Sequence, residues 1–404
     1  MPRRIPLRSR VLATALGIGL LFLVLRFLPG PPPPAVDPVH PTVRVRLAGW
    51  SGRERVPLRI RGRYRILGLE GEEVLWEGAE YRGAIRGGAA GPRLTGLDPL
   101  RPAFRIAPEG DAALRLDADW YRGELVVDGR GRRGGELAPR LELYLDLPLE
   151  DYVLGVVCGE MAAGAAGAAA ALRAQAIAAR SWALWELRRG RPFLNDDARD
   201  QRFLGVDFET LQAREAVAAT EGRVLVWDGE LLHAYFHADC GGGTADAWSL
   251  EFSREELPPL AGVSDPGCAE DWPWEKEIPA AELDRLARDF ELGAWLRRVR
   301  ASQRDRFGRV LRVLLAGEFA TRSLGGEALR RILDLPSTLW LDLEALADGG
   351  LRVTGRGRGH GVGLCQEGAL RRSRAGASAG EILAHYYPGA EIVLLGEHPG
   401  LLRP

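Results

Sequence analysis

Three stretches of the sequence carry side chains suited to chemistry. In DYVLGVVCGEMAAGAAGAAAALRAQAIAAR, which runs from Asp151 to Arg180, Glu160 stands among Val156, Val157 and Met161. A carboxylate in apolar surroundings keeps its proton to higher pH, the condition for a general acid near neutrality. A solvated or helix-capping glutamate is the competing reading of that residue alone. Arg180 lies in a helix of small and apolar residues and needs an anionic partner, in a site or in a structural ion pair.

The second stretch runs from Glu230 to Cys240. Strand alternation puts His233, Tyr235, His237 and Asp239 on one face and Leu232, Ala234, Phe236, Ala238 and Cys240 on the other. His237, Asp239, Cys240 and Cys268 are of metal-ligand types, but His237 and Cys240 face opposite ways unless the strand bends. For an exported chain a Cys240–Cys268 disulfide is the preferred expectation, Cys158–Cys365 the second, and no metal is assigned. The third stretch, GRGRGHGVG from Gly355 to Gly363, has glycine at every second position. On a strand this leaves one face bare, with Arg356, Arg358, His360 and Val362 on the other. A packed helix or a flat glycan or peptide backbone suits such a face. The spacing is not that of a dinucleotide fingerprint, and no orienting group accompanies His360 and Cys365 as a thiol nucleophile.

The elements that must hold these residues can be read from local pattern. LELYLDL aligns Leu141, Leu143, Leu145 and Leu147 on one strand face, and Pro148 with Glu150 and Asp151 starts a short helix from Leu149 toward Val157. Alanine-rich helix is expected from Ala165 to Arg189, and a further helix from Thr210 to Thr220. VLVW, Asp228-Gly229 and ELLHAYF form a hairpin, since Asp-Gly fits the primed turn. Helices are also expected at Ala280–Arg300 and Ala379–Tyr386, and strands at Arg309–Leu315 and Leu339–Leu343. From Pro41 to Leu147 short alternating runs punctuated by glycine read as all-β. The expected class is therefore α+β: a largely antiparallel sheet with a buried alanine-rich helix, preceded by a β-rich N-terminal region and a membrane anchor. The expected divisions are 1–28, 29–41, 42–140 and 141–396.

Arg3, Arg4, Arg8 and Arg10 precede the apolar run Val11–Leu28, which is marginally long enough to span a bilayer with its basic flank in the cytoplasm. No small-x-small cleavage site comes after it, so a retained anchor is expected, with a proline-rich spacer and everything beyond it exported. Lys and Arg number 54 against 55 Asp and Glu, a net charge of −1, which speaks against nucleic acid as a partner. Four cysteines in 404 residues exclude a disulfide-dense scaffold.

Taken together and in order, LPLEDYVLGVVCGEM, ALRAQAIAARSWAL, AVAATEGRVLVWDGELLHAYFHADCGGGTADAW, GRGHGVGLCQEGA and ILAHYYPGAEI resemble the SpoIID/LytB family. The similarity runs from Leu141 to Ile392, and WYRGELVV ahead of it also looks like the region preceding this domain in relatives. It implies a peptidoglycan lytic transglycosylase, active in wall remodelling or sporulation and needing no cofactor. The catalytic glutamate of the Glu-Met motif would be Glu160, and the glycan groove would be lined by Arg180, Gln201, His237, Asp239, His360 and Gln366. Glycan already stripped of stem peptides is the implied preference. LytB is described as an enhancer of a wall amidase, so a non-catalytic glycan-binding role beside an amidase is the alternative. Two departures stand out: Ala162 replaces the proline that often follows Glu-Met, and DDARDQRFLG matches the family's D-x-x-x-Q-x-Y-x-G loosely, through Gln201 and Phe203. Zinc has been proposed in the family around H-x-x-C-G-G. His237–Gly242 keeps that string, but no further ligands are evident in the sequence.

Overall fold

The computed structural model describes residues 41–402, apart from 70–72, 89–90, 98–100, 130–131, 134–135, 138–139, 162–163 and 271. The expected anchor, residues 11–28, and nearly all of the spacer lie outside the described residues. Among those described, no helix is long and apolar enough to cross a membrane.

The main sheet has ten strands among the described residues, and its central path runs through β1 (Thr42–Arg46), β2 (Arg55–Gly68), β3 (Val74–Arg86), β4 (Ala103–Pro108), β5 (Glu124–Asp128), β6 (Glu142–Pro148) and the short β7 (Leu194–Asn195). Its order is β7-β1-β6-β5-β4-β2-β3, antiparallel throughout except for the β1–β7 pair. Leu141, Leu143, Leu145 and Leu147 are all buried, as their alternation requires, and Val45 of β1 sits opposite Leu145. Because β6 bonds along both edges, the sheet runs across the expected division at residue 140. The β-rich region and the residues on the far side of that division share one sheet and one core.

Helix α1 (Leu149–Glu160) begins directly at Pro148, with Glu150 and Asp151 in its first turn, where acidic groups favour the positive end of the helix dipole. Helix α2 (Ala169–Arg188) is buried from Ala171 to Leu184 except at Arg173. Its alanines let it pack against α1, α3 (Leu211–Ala218) and β8 (Arg223–Trp227), and against two helices near the C-terminus, α6 (Gln366–Arg374) and α7 (Ala379–Tyr386). Thr210 caps α3, and Ser378 with Glu381 forms a capping box on α7, whose bounds match the sequence expectation.

The Asp228-Gly229 turn forms as expected, both residues taking positive φ (50° and 76°). The strand after it does not continue to Cys240. It stops at Leu231, and only β9 (Phe236–His237) resumes, parallel to β16 (Leu364–Cys365). The expected two-faced strand is thus broken, and His237, Asp239 and Cys240 are all buried.

A second, smaller core forms between residues 274 and 355. It comprises two three-stranded sheets, β10 (Trp274–Ile278) with β15 (Leu351–Gly355) and β14 (Trp340–Ala345), and β11 (Leu296–Arg304) with β12 (Val310–Gly317) and β13 (Thr321–Gly325), plus α4 (Ala280–Asp289) and α5 (Gly326–Ile332). The helix expected over Ala280–Arg300 ends at Asp289. Glu291 and Gly293 take positive φ there, and the turn buries Leu292 in this core before β11 starts.

The GRGHGVG segment also departs from expectation. Gly357, Gly359, Gly361 and Gly363 all have positive φ, so the stretch is not a strand with a bare face. What approaches is the protein itself. A Cβ on Gly361 would lie 2.5 Å from Arg309 Cζ, and one on Gly363 would lie 2.0 Å from the Tyr235 carbonyl oxygen. Gly361→Ala combines a left-handed backbone with this clash and is expected to cost about 2–5 kcal/mol. Urea unfolding measures it, and an unchanged midpoint would refute this account of the segment.

Candidate active site

Helix α1 ends at Glu160 because Met161 turns to extended backbone (φ −125°, ψ 154°). The segment 196–205 lies across this end of the helix. Gly159 makes the approach possible, since a Cβ there would fall 2.1 Å from the Arg202 carbonyl oxygen. The segment is pinned by its carboxylates: Asp196 accepts from the Ala48 N–H (2.9 Å), and Asp200 accepts from Arg191 (2.6 and 2.8 Å) and from the Asn195 N–H (2.7 Å).

The Glu160 carboxylate is held from two sides. The Arg202 N–H donates to one oxygen (2.6 Å), and Gln366 Nε2 donates to the other (3.3 Å). Gln366 opens α6 and also donates to Gln175 of α2 (3.4 Å). Burial pushes Glu160 above the ordinary glutamate range, against the opposing pull of the Arg202 amide, Gln366 and the Arg202 charge. Among the described residues, no acidic side chain is one of the groups that shift it. A partly buried carboxyl with a raised pKa and two donors ready for its anion is equipped to give up a proton and take one back.

Beside the 196–205 segment lies a hollow of about 480 Å³ between the main body and the smaller core, its walls including Trp182, Gln201, Tyr235, Phe252, Glu327 and His360. Glu327 comes from α5, so the smaller core contributes one wall. Tyr152 donates to Gln201 (2.9 Å), fixing it inside the wall. His360 lies against Phe252 (ring centroids 4.9 Å), and burial, then His237 and nearby guanidiniums, holds it well below the ordinary histidine value. On the other side of the segment, Arg202 and Phe203 line a second hollow with Trp50 and Tyr121.

Of the residues expected to line a groove, the fold joins Glu160 and Gln366 directly and sets Gln201 and His360 in the adjoining wall. Arg180 is elsewhere. Its guanidinium is fully buried, bound side-on to Glu150 (2.8 Å through Nε) and to the Arg223 carbonyl (3.0 Å), so it ties α2 to the start of α1 and to β8. His237 and Asp239 lie beneath the glycine segment, Asp239 in a backbone bridge with Arg358 and His237 Nδ1 at 3.1 Å from the Val362 carbonyl. The expected Cys240–Cys268 disulfide is not formed. All four cysteines are free thiols, and Asp265 Oδ2 lies 3.7 Å from Cys240 Sγ and 3.6 Å from Cys268 Sγ. Cys158 is remote from Cys365: Cys158 lies near Thr210 and Glu209, whereas Cys365 sits at 3.9 Å from Cys268. Of three tryptophans with flat faces that could meet a sugar ring, Trp182 lines the hollow, Trp248 is exposed and Trp274 donates to Ser337.

The Arg202 amide, Gln175 and Asp265 were not singled out in the sequence. A signal for the first exists in Gly155 and Gly159, four residues apart on α1, which mark a helix face approached closely by backbone.

Residues 139–227, which include α1, α2, Glu160 and the 196–205 segment, match the family described as SpoIID, stage II sporulation protein. These residues are similar to the SpoIID domain. It is 29% identical over 269 residues to stage II sporulation protein D of Bacillus subtilis, an alignment covering 61% of this chain and 75% of that protein. The corresponding protein of Bacillus amyloliquefaciens is likewise 29% identical over 269 residues, with 74% of its length covered. An uncharacterized protein of Brachyspira hyodysenteriae is 29% identical over 255 residues, 61% of this chain and 67% of that protein. The SpoIID domain match covers the centre around Glu160, whereas Gln366 and the smaller core lie outside those 89 residues.

Proposed function

We propose that this chain is a peptidoglycan lytic transglycosylase that uses Glu160 as a single acid/base and acts outside the cytoplasmic membrane, anchored through residues 11–28. The observation that carries the reading is the state of Glu160: raised pKa, two hydrogen-bond donors and, among the described residues, no acidic neighbour in the groups that perturb it. Hydrolysing glycosidases divide the work between two carboxylates. Closing an anhydro ring needs one.

Protonated Glu160 would give its proton to the oxygen linking N-acetylmuramic acid to N-acetylglucosamine as the C1–O bond breaks. The resulting carboxylate, stabilised by the Arg202 N–H and Gln366, would take the proton of the sugar's own C6 hydroxyl as O6 bonds to C1. The nucleophile is held within the same ring, which removes the entropic cost of recruiting water. The product is a 1,6-anhydro-muramic end, and Glu160 finishes protonated. No cofactor enters.

Mass spectrometry of products from intact and amidase-stripped peptidoglycan tests the reading, with the full-length chain in mild detergent. Anhydro-muramic ends support it, most of all on stripped glycan. Reducing ends mean hydrolysis. Neither product, with glycan binding or a raised amidase rate, replaces the enzyme by an amidase enhancer.

The acid must be protonated to act, so the rate falls as pH rises through the raised pKa of Glu160. Gln366 favours the ionised form. Gln366→Met removes that pull, and the alkaline limb of the pH–rate profile is expected to move to higher pH; a limb that stays put or moves down speaks against the contact.

A further inference from the structure

The second hollow, on the far side of the 196–205 segment, measures about 820 Å³, within the roughly 300–1,000 Å³ of sites for small molecules. Arg202 links it to Glu160: this residue lines the hollow, and its N–H donates to the Glu160 carboxylate (2.6 Å). The opposite wall comes from the β-rich region. Trp50 stands in the turn after β1, and Tyr121 belongs to the short strand Asp119–Tyr121 within the string WYRG. Both precede residues 139–227, the part that matches SpoIID. Resting on the glycan-cleaving reading of Glu160, we propose that this hollow is a sugar subsite for the uncharged N-acetylglucosamine rings of the glycan strand, built largely by the N-terminal region.

The lining suits a neutral sugar. Phe208 is 49% exposed, and Trp50 is half-buried with its ring held in place, Nε1 donating to the Tyr121 hydroxyl (3.2 Å) and the Arg53 guanidinium lying over the ring (4.5 Å). Flat faces of this kind meet the apolar C–H side of a pyranose, while polar groups at the rim fix its orientation. Charge around the hollow is balanced, with Asp119, Asp196 and Asp197 set against Arg53, Arg199 and Arg202. A phosphate or a cationic peptide calls for an excess of one sign. Hydroxyl and acetamide groups call for acceptors and donors side by side. Asp197 and Arg199 offer both at the rim, paired with each other (2.8 Å) and with side chains 43% and 55% exposed.

The two walls are already locked together. The Trp120 N–H donates to Asp207 (2.9 Å), Arg122 pairs with Glu209, and the Ala48 N–H donates to Asp196 (2.9 Å). A Cβ on Gly205 would lie 2.4 Å from the Trp120 carbonyl oxygen, so only glycine lets the backbones of the two walls meet there. A ligand entering such a preformed site loses little affinity to ordering the protein.

Binding and turnover are measured separately. Isothermal titration of the full-length chain in mild detergent with the β-1,4-linked N-acetylglucosamine hexamer is expected to show saturable binding. Trp50→Ala is expected to weaken it by about tenfold or more, and the rim double variant Asp197→Ala with Arg199→Ala by about three- to tenfold. Trp295→Ala, which removes an exposed tryptophan of the smaller core, should leave it unchanged. If Trp50→Ala does not fold, the rim variant, whose side chains are both exposed, decides. Unaltered affinity in the rim variant overturns the proposal. So does a chain that binds a muramyl pentapeptide but not the hexamer, which would assign the hollow to stem peptide. On peptide-stripped peptidoglycan both variants should raise KM with kcat little changed, because the subsite holds the strand equally before and during the reaction. A chain that binds the hexamer through Trp50 yet forms no anhydro-muramic ends refutes the role of Glu160 and keeps the subsite. One that forms those ends with the same KM in both variants refutes the subsite and keeps Glu160.

Discussion

Glu160→Gln is expected to abolish formation of anhydro-muramic ends, a loss of at least about a thousandfold, because one group serves as both acid and base. Glutamine keeps the shape and accepts the Arg202 N–H as the carboxylate does, so glycan binding should survive. Stability gives an independent reading. Burial raises the pKa of Glu160 in the folded chain above its unfolded value, so the folded state binds more protons, and stability falls as pH rises from the unfolded to the folded pKa. At neutral pH the carboxylate therefore weakens the fold, and Glu160→Gln should stabilise it by about 0.5–2 kcal/mol, in line with relief of active-site strain. The gain should vanish below the ordinary glutamate pKa. Thermal unfolding at neutral and acidic pH measures this. A variant that loses activity and also melts lower at neutral pH would mean that Glu160 is a structural carboxylate.

Arg180→Ala is expected to be among the most damaging single changes to the fold. The Arg180 side chain is 0% exposed and that of Glu150 only 30%, so losing the guanidinium strands a half-buried carboxylate and leaves the Arg223 carbonyl without its donor. Breaking one side of such a pair costs about 3–5 kcal/mol, or roughly 10 °C in Tm for a domain of this size. The double variant Arg180→Leu with Glu150→Leu should recover part of the loss, since the uncompensated charge is gone. A site residue would behave otherwise. If Arg180→Ala melted normally and only weakened glycan binding, the groove role expected from the sequence would stand and the structural ion pair would be of little consequence.

The two variants separate what local pattern reveals from what it hides. The alternating leucines of LELYLDL, the Asp-Gly turn, the Ser378 cap and the alanine-rich helix were legible because each depends on residues a few positions apart. Glu160 was legible for the same reason: its apolar neighbours belong to its own helix. The glycine segment misled, since regular spacing fits a strand as well as a chain of left-handed turns. The backbone of residues 235–243 and Arg309, from another core, decide between them. Helical pattern runs on to Arg300, yet helix α4 ends at Asp289, because burying Leu292 is a tertiary gain that overrides that pattern.

The SpoIID-like motifs, the strand and helix periods and a raised-pKa candidate at Glu160 were determined by the sequence itself, through short-range sterics and hydrophobic periodicity. Partnership was decided only by the tertiary structure. It gave Arg180 to Glu150 and not to a substrate, gave Gln366 to Glu160 across 206 residues, and gathered Cys240, Cys268 and Cys365 around Asp265 in place of a disulfide. These contacts join segments whose separation along the chain carries no periodic signal. They exist because the packing of α1, α2 and α6 and the pairing of β9 with β16 leave each buried polar group few other partners to choose from.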